Sequence, residues 1–303
     1  MEKSALSGKR RLRAEKLIRF TFFGVALASI MTLALIVVFL FMEGIPIFNK
    51  TSVKDFIFGS LWYPTDDPPE FGIFALIMGS VAVTIVSSAM SIPLGVLTAL
   101  YLAEAASLRV RQWVKPVVEL LAALPSVVIG FLGMVVVAPF LQEILDIPTG
   151  LNLFNASLML AFMSIPTICS ISEDAIFGVP IELKEASLAL GATHWETIAR
   201  VIIPASISGI CTAVILGMSR AIGETMVVLM VAGGAAMVPS FLFDPVRPMP
   251  ASIAAEMAEA PFRGDHYYAL FATGVVLFLF TLAFNMVAEY ISNKYRQVGA
   301  ATL

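Results

Sequence analysis

Six stretches of this chain run for twenty residues or more with almost no charge. They extend from Phe20 to Met42, from Phe71 to Ala103 with Pro93 inside, and from Leu120 to Gln142. The others run from about Leu153 to Ser172, from about Val201 to Ala236 (broken only by Arg220 and Glu224), and from about Tyr267 to Ala288. Each is long enough to cross a hydrocarbon core of about 30 Å as a helix. In lipid, only helices and closed barrels satisfy every backbone group, and these runs lack the period-2 alternation of barrel strands. The expected fold is all-α and integral to a membrane, with six transmembrane helices. Composition agrees: 59% of the residues are hydrophobic and 14% charged, where a soluble domain has about 25% charged. A soluble enzyme and a disordered chain are thereby excluded. A net charge of -3 argues against a nucleic-acid partner.

Lysine and arginine set the expected orientation. Residues 1–19 hold seven of them. With that tail inside, alternation places fourteen basic residues on the inner side and four on the outer, with Arg220 left within the fifth run. The reading is a bacterial cytoplasmic (inner) membrane protein, multi-pass, with both termini cytoplasmic. It has a basic tail at 1–19, a first transmembrane helix at 20–42, a transmembrane domain at 71–288 and a second tail at 289–303. A retained first helix is expected rather than a cleaved signal peptide, because the first apolar run is too long for an h-region and no small-residue cleavage site follows it. Cys169 and Cys211 fall within or beside apolar runs and read as small packing residues rather than a disulfide.

The chain lacks several kinds of chemistry. No phosphate-binding G-x-x-x-x-G-K-[ST] loop is present. His194 and His266 have no second ligand at metal spacing, so no metal is expected. No nucleophile, base and acid can be assembled, so no catalytic residue is expected. The chain is read as a transporter subunit that binds no cofactor itself and draws energy from an ion gradient or another subunit.

The segment from Glu173 to Pro204 interrupts the apolar pattern. Pro180 suits a first helical position. Apolar Ile181, Leu183, Ala186, Leu188 and Leu190 alternate with Glu182, Lys184, Glu185 and Ser187. Gly191 suits the left-handed residue just past a helix end. The pattern predicts a helix of about 11 residues, roughly 16 Å long. Thr193 and Glu196 then form a capping-box pattern that opens the next helix. Two readings fit the short helix: an amphipathic segment resting at the lipid interface, or a knob that docks in a partner's groove.

Arg220 and Glu224 are the deepest charges. Arg220 lies 16 residues past Pro204, or about 24 Å along a straight helix. Four-residue spacing predicts that the two share a helix face and can pair, in the less favourable order. Either they fix helix packing or they line a pathway, since ionisable residues within a membrane face cavities by default. A guanidinium offers bidentate hydrogen bonds to a tetrahedral oxyanion, and Glu224 can hold Arg220 when no anion is bound. Gly217 and Gly223 are expected to admit a neighbouring helix. Pro125 and Ser126 are a candidate helix break, either a packing kink or a source of free backbone donors. The loop Glu43–Glu70 is expected outside, with Trp62 and Tyr63 as interfacial aromatics, and a short outer helix is expected at Ala255–Arg263.

Glu185, Ala186, Ser187, Gly191, Val201, Ile203 and Pro204 match the spacing of the EAA motif, E-A-A-x3-G-x9-I-x-L-P. Ser187, Val201 and Ile203 are its mild departures. The segment therefore resembles the permeases of ABC importers. The stretch SRAIGETMVVLMVAGG, with ELLAALPSVVIGF and AAEMAEAPFRGDHYYALFATGVVLF, resembles the phosphate-specific members of the PstC type. The resemblance covers most of residues 70–290. It implies a type I importer (MetI-like) fold in which residues 180–191 form a coupling helix, with Glu185, Ala186 and Gly191 coupling to an ATPase. It also implies inorganic phosphate as cargo, passing Arg220 and Glu224. The implied partners are a homologous permease (PstA type), an ATPase dimer (PstB type) carrying ATP and Mg, a phosphate-binding protein (PstS type) and the lipid bilayer. The rivals are a permease for sulfate, molybdate or tungstate, a secondary anion transporter, and a sensor that only binds.

Overall fold

The computed structural model describes residues 2–296, with side chains at Glu15, Lys16 and from Ile18 to Ser292. Of the two expected tails, Met1 and residues 297–303 lie outside the described residues. Among the described residues, six helical stretches are long and apolar enough to cross a membrane. They are Ile18–Asn49, Phe74–Ala105, Ser126–Leu145, Leu153–Phe177, His194–Ile222 and Asp265–Ser292.

The first belongs to α1 (Glu2–Gly44), whose backbone takes in residues 2–19 as helix and which is followed by a 3-10 turn at Ile45–Asn49. A small cap follows, made of α2 (Val53–Phe58) and the two-stranded antiparallel pair β1 (Trp62–Tyr63) and β2 (Glu70–Phe71). Ser52 caps α2 by accepting from the Asp55 amide. α3 (Phe74–Leu100) runs on through a π-helical turn at Tyr101–Ala105. α4 (Leu108–Ala122) is a separate, amphipathic helix capped by Ser107.

Here the structure corrects the expected third span. The apolar run begins at Leu120, but the helix begins at Ser126. Pro125 takes an extended conformation as the N-cap and breaks α4 from α5 (Ser126–Leu132). α5 continues through a π-helical turn at Gly133–Val137 into α6 (Ala138–Leu145).

α7 (Leu153–Phe177) is the central helix, packed against α3 along its length. α8 (Ile181–Ala189) and α9 (His194–Thr197) lead through a π-helical turn at Ile198–Ile202 into α10 (Ile203–Ile222). α10 also packs along α7. Gly217 permits that approach, because a Cβ there would lie 2.5 Å from Ile168 Cγ1.

The fifth span also ends sooner than its apolar run, at Ile222 rather than near Ala236. Gly223 is its C-cap and, contrary to expectation, admits no neighbouring helix. α11 (Met226–Val231) is a short return helix packed on α5. α12 (Met249–Glu256) replaces the helix expected at Ala255–Arg263. Pro248 and Pro250 explain the shift: a proline just before and just inside the first turn suits a helix start, where no amide partner is needed. α13 (Asp265–Arg296) closes the bundle against α10 and α1.

Three buried clusters hold the bundle. One at the α12 end joins Ile47, Phe56, Trp62, Phe71 and Leu76 to Met249 and Leu270. A middle one joins α5, α7 and α11 through Ile129, Met159, Leu160, Val227 and Val231. One at the α8 end joins Leu102, Ile176, Ile198 and Ile202. Trp62, expected as an interfacial aromatic, is buried in the first of these. α1 stands apart from all but the first, and Phe20 is 74% exposed.

Candidate functional site

The short helix is nine residues rather than about 11, because Pro180 is its extended N-cap and not its first helical residue. Its end is as expected. Gly191 has φ +86°, its amide donates to Leu188 O at 2.9 Å, and the Ala192 amide donates to Ser187 O at 3.3 Å. This is the paired closure of a Schellman motif. The capping box is also present: Thr193 Oγ1 accepts from the Glu196 amide at 3.3 Å, and Glu196 Oε2 accepts from the Thr193 amide at 2.9 Å. Glu185 and Ala186 are exposed on α8. Leu190, at 90% exposed, and Trp195 add a bare apolar surface beside them.

Arg220 lies two residues before the end of α10 and is half-buried. Its Nη1 donates to Thr167 Oγ1 on α7 at 3.5 Å. The expected pair with Glu224 does not form. The helix stops between them at Gly223, so four-residue spacing no longer places them on one face. Glu224 Oε1 instead accepts from the amides of Met226 at 3.2 Å and Val227 at 3.4 Å, where α11 begins. Among the described residues, no ion pair is made by either charge.

Pro125 and Ser126 do mark a helix break, with Val128 N donating to Pro125 O at 3.0 Å. Among the described residues, no hydrogen bond joins them to Arg220 or Glu224. The link from α5 to the site is indirect, through its packing on α11.

Three charged clusters escaped the sequence reading. Glu173, with 1% of its side chain exposed, accepts from Arg111 Nε at 3.1 Å and pairs with Lys115 Nζ at 3.3 Å. Arg111 also lies 3.7 Å from the centre of the Phe177 ring. Burial by itself lowers the affinity of Lys115 for its proton. The hydrogen bonds and negative charges of Glu173 and Asp174 outweigh it, and hold the ammonium above the ordinary lysine range. Lys184 of α8 pairs with Glu104 at the end of the α3 helix. At the other end of the bundle, Glu256 gathers four donors. Trp62 Nε1 reaches it at 3.0 Å, Arg247 Nη1 at 2.7 Å, Ser252 Oγ at 2.9 Å and His266 Nε2 at 2.8 Å. The one advance signal was the Arg111–Lys115 spacing, which puts two cations on one helix face. The acidic partners come from distant segments.

This arrangement of spans with a Schellman-closed helix between the fourth and fifth has relatives. Residues 91–297 match the family of binding-protein-dependent transport system inner membrane components. The chain belongs to this family. It is 37% identical to the probable ABC transporter permease protein YqgH of Bacillus subtilis over 89% of this chain and 88% of that one. It is 35% identical to the phosphate transport system permease protein PstC of Mesorhizobium japonicum, over 78% of this chain and 77% of that one. Among solved structures, a chain of the MetNI methionine ABC transporter in an inward-facing conformation superposes with a TM-score of 0.55. That match has 21% identity and covers 72% of this chain and 93% of the other, so it bears on the fold alone. The expected type I importer fold is borne out. This is an ABC importer permease, a multi-pass protein of the inner membrane that works with other subunits.

Proposed function

We propose that this permease carries inorganic phosphate inward, with both termini in the cytoplasm, and that it pairs with a homologous permease, an ATPase dimer and a phosphate-binding protein of the Pst type. The observation that carries the cargo is Arg220. A guanidinium within a membrane span that, among the described residues, has only a hydroxyl for a partner is an uncompensated cation where charge is costly, and its planar fork matches a tetrahedral oxyanion. The relatedness to PstC proteins over most of the chain supports phosphate.

Glu224 belongs to the same pathway. It braces α11 beside the break and repels the fully deprotonated anion or accepts from a protonated phosphate oxygen. Pro125 and Ser126 border the pathway from the α5 side. The exposed face of α8, with Glu185 and Ala186, seats in the ATPase subunit, which holds ATP and Mg, and Gly191 fixes the turn behind it. ATP binding draws the coupling helices of the two permeases together and opens the pathway outward. The binding protein then releases phosphate near Arg220, and hydrolysis restores the inward-facing state.

Reconstitution with the partner subunits and labelled phosphate tests this. ATP-dependent uptake that excess sulfate or molybdate leaves unchanged is expected. Uptake that those anions displace assigns another oxyanion. Uptake that persists with an inactive ATPase assigns a gradient-driven carrier.

A further inference from the structure

Of the three charged residues of α8, Glu182 and Glu185 are exposed, and only Lys184 turns toward the bundle. It meets Glu104, 80 residues earlier, in the last turn of the helix that carries α3. Glu104 has 7% of its side chain exposed and Lys184 23%. A carboxylate this withdrawn from water depends on its cation, so the two segments are held together against pulling and pushing alike. The other side-chain tie of α8 is the Ser187–Thr197 hydroxyl contact at 2.9 Å, which leads to the start of the fifth span. The short helix is thus fastened to two different spans. Both α3 and α10 pack along α7, the helix whose Thr167 meets Arg220.

We propose that the Lys184–Glu104 pair is a second transmission strut, and that both are positioning residues of the transport cycle. Displacement of α8 reaches α3 through this ion pair at the same moment that it reaches α10 through the chain. The helices on either side of α7 then move as one, and the surroundings of Arg220 change in a single step. This rests on the reading of α8 as the helix that couples to an ATPase.

The test uses the complex with its ATPase partner in nanodiscs. Spin labels are placed at Leu97→Cys on exposed α3 and at Glu182→Cys on α8, with Cys211→Ala. The label distance is expected to stay constant between the nucleotide-free and ATP-bound complex. It should shift on ATP binding in Lys184→Met and in Glu104→Gln, and become constant again in the swap Glu104→Lys with Lys184→Glu. In parallel, stimulation of ATP hydrolysis by the loaded binding protein should fall about tenfold in the single variants, a loss typical of broken coupling between sites. Basal hydrolysis should stay and the swap should recover stimulation. If a single variant fails to assemble, the pair Glu104→Gln with Lys184→Met leaves no buried charge and serves in its place. A distance that shifts in the parent, stays constant in an assembled single variant or in the neutral pair, or is not restored by the swap in an assembled complex overturns the strut. If the labels behave as expected but phosphate-loaded binding protein gives the parent no stimulation, the phosphate reading fails and the strut stands.

Discussion

The charges at the two ends of the bundle and those between them are built differently. Glu173 pairs with two cations of α4, and Glu256 gathers partners from separate segments. Arg220 has one hydroxyl, and Glu224 has two backbone amides. A charge withdrawn from water without an opposite charge is costly, and half-buried Arg220 is the one that the proposed function assigns to an arriving anion. On the proposed function, the end clusters are scaffold and the middle charges respond to cargo.

The sharpest way to break that comparison is to remove one charge of each kind. Glu256→Ala strands Arg247, Trp62 and His266, and the expected loss is about 3–5 kcal/mol of stability, read as a lowered melting temperature of the complex. Arg220→Ala should leave melting unchanged and cut phosphate uptake about 100-fold or more, the scale of losing an aimed charged donor. If Arg220→Ala melts as early as Glu256→Ala, the middle charge is scaffold too.

The remaining predictions sharpen the contrast. Gly191→Ala forces a side chain into the left-handed region at a cost of about 1–2 kcal/mol. Open space surrounds it, so the loss should come from the backbone alone, and Gly191→Asn should recover part of it. The smallest effect concerns Lys115. Its folded proton affinity is raised, so its contribution is fully present below the ordinary lysine range and is lost only as pH rises through the higher folded value. Melting of Lys115→Met should therefore differ from the parent equally at pH 6 and pH 8. A difference that changes between those values would remove Glu173 and Asp174 as the cause.

The six spans were legible because a helix that crosses lipid must be apolar for some 20 residues, and few other constraints yield such runs. The end of α8 was legible because Gly191 and the Thr193–Glu196 pattern are local signals that complete their own hydrogen bonds. The breaks were harder. Apolar residues continue past Gly223, and glycine is common within membrane helices, so nothing local announced that Arg220 and Glu224 would part. The pairings at Glu173, Glu104 and Glu256 were hidden for another reason, even where the Arg111–Lys115 spacing showed two cations on one face. Trp62 and Glu256 are 194 residues apart, and a single sequence does not say which charge meets which across a bundle.

The turn between α8 and α9 has a mechanical consequence. Its two sides are closed by separate sets of hydrogen bonds, at Gly191 and Ala192 on one side and at Thr193 and Glu196 on the other. A loop of loose residues would bend under load and dissipate a push as local flexing. With both sides closed this way the elbow resists such flexing, and if α8 couples to an ATPase as proposed, a force applied at its exposed leucines would reach α10 as a torque, with the long helix serving as the lever arm.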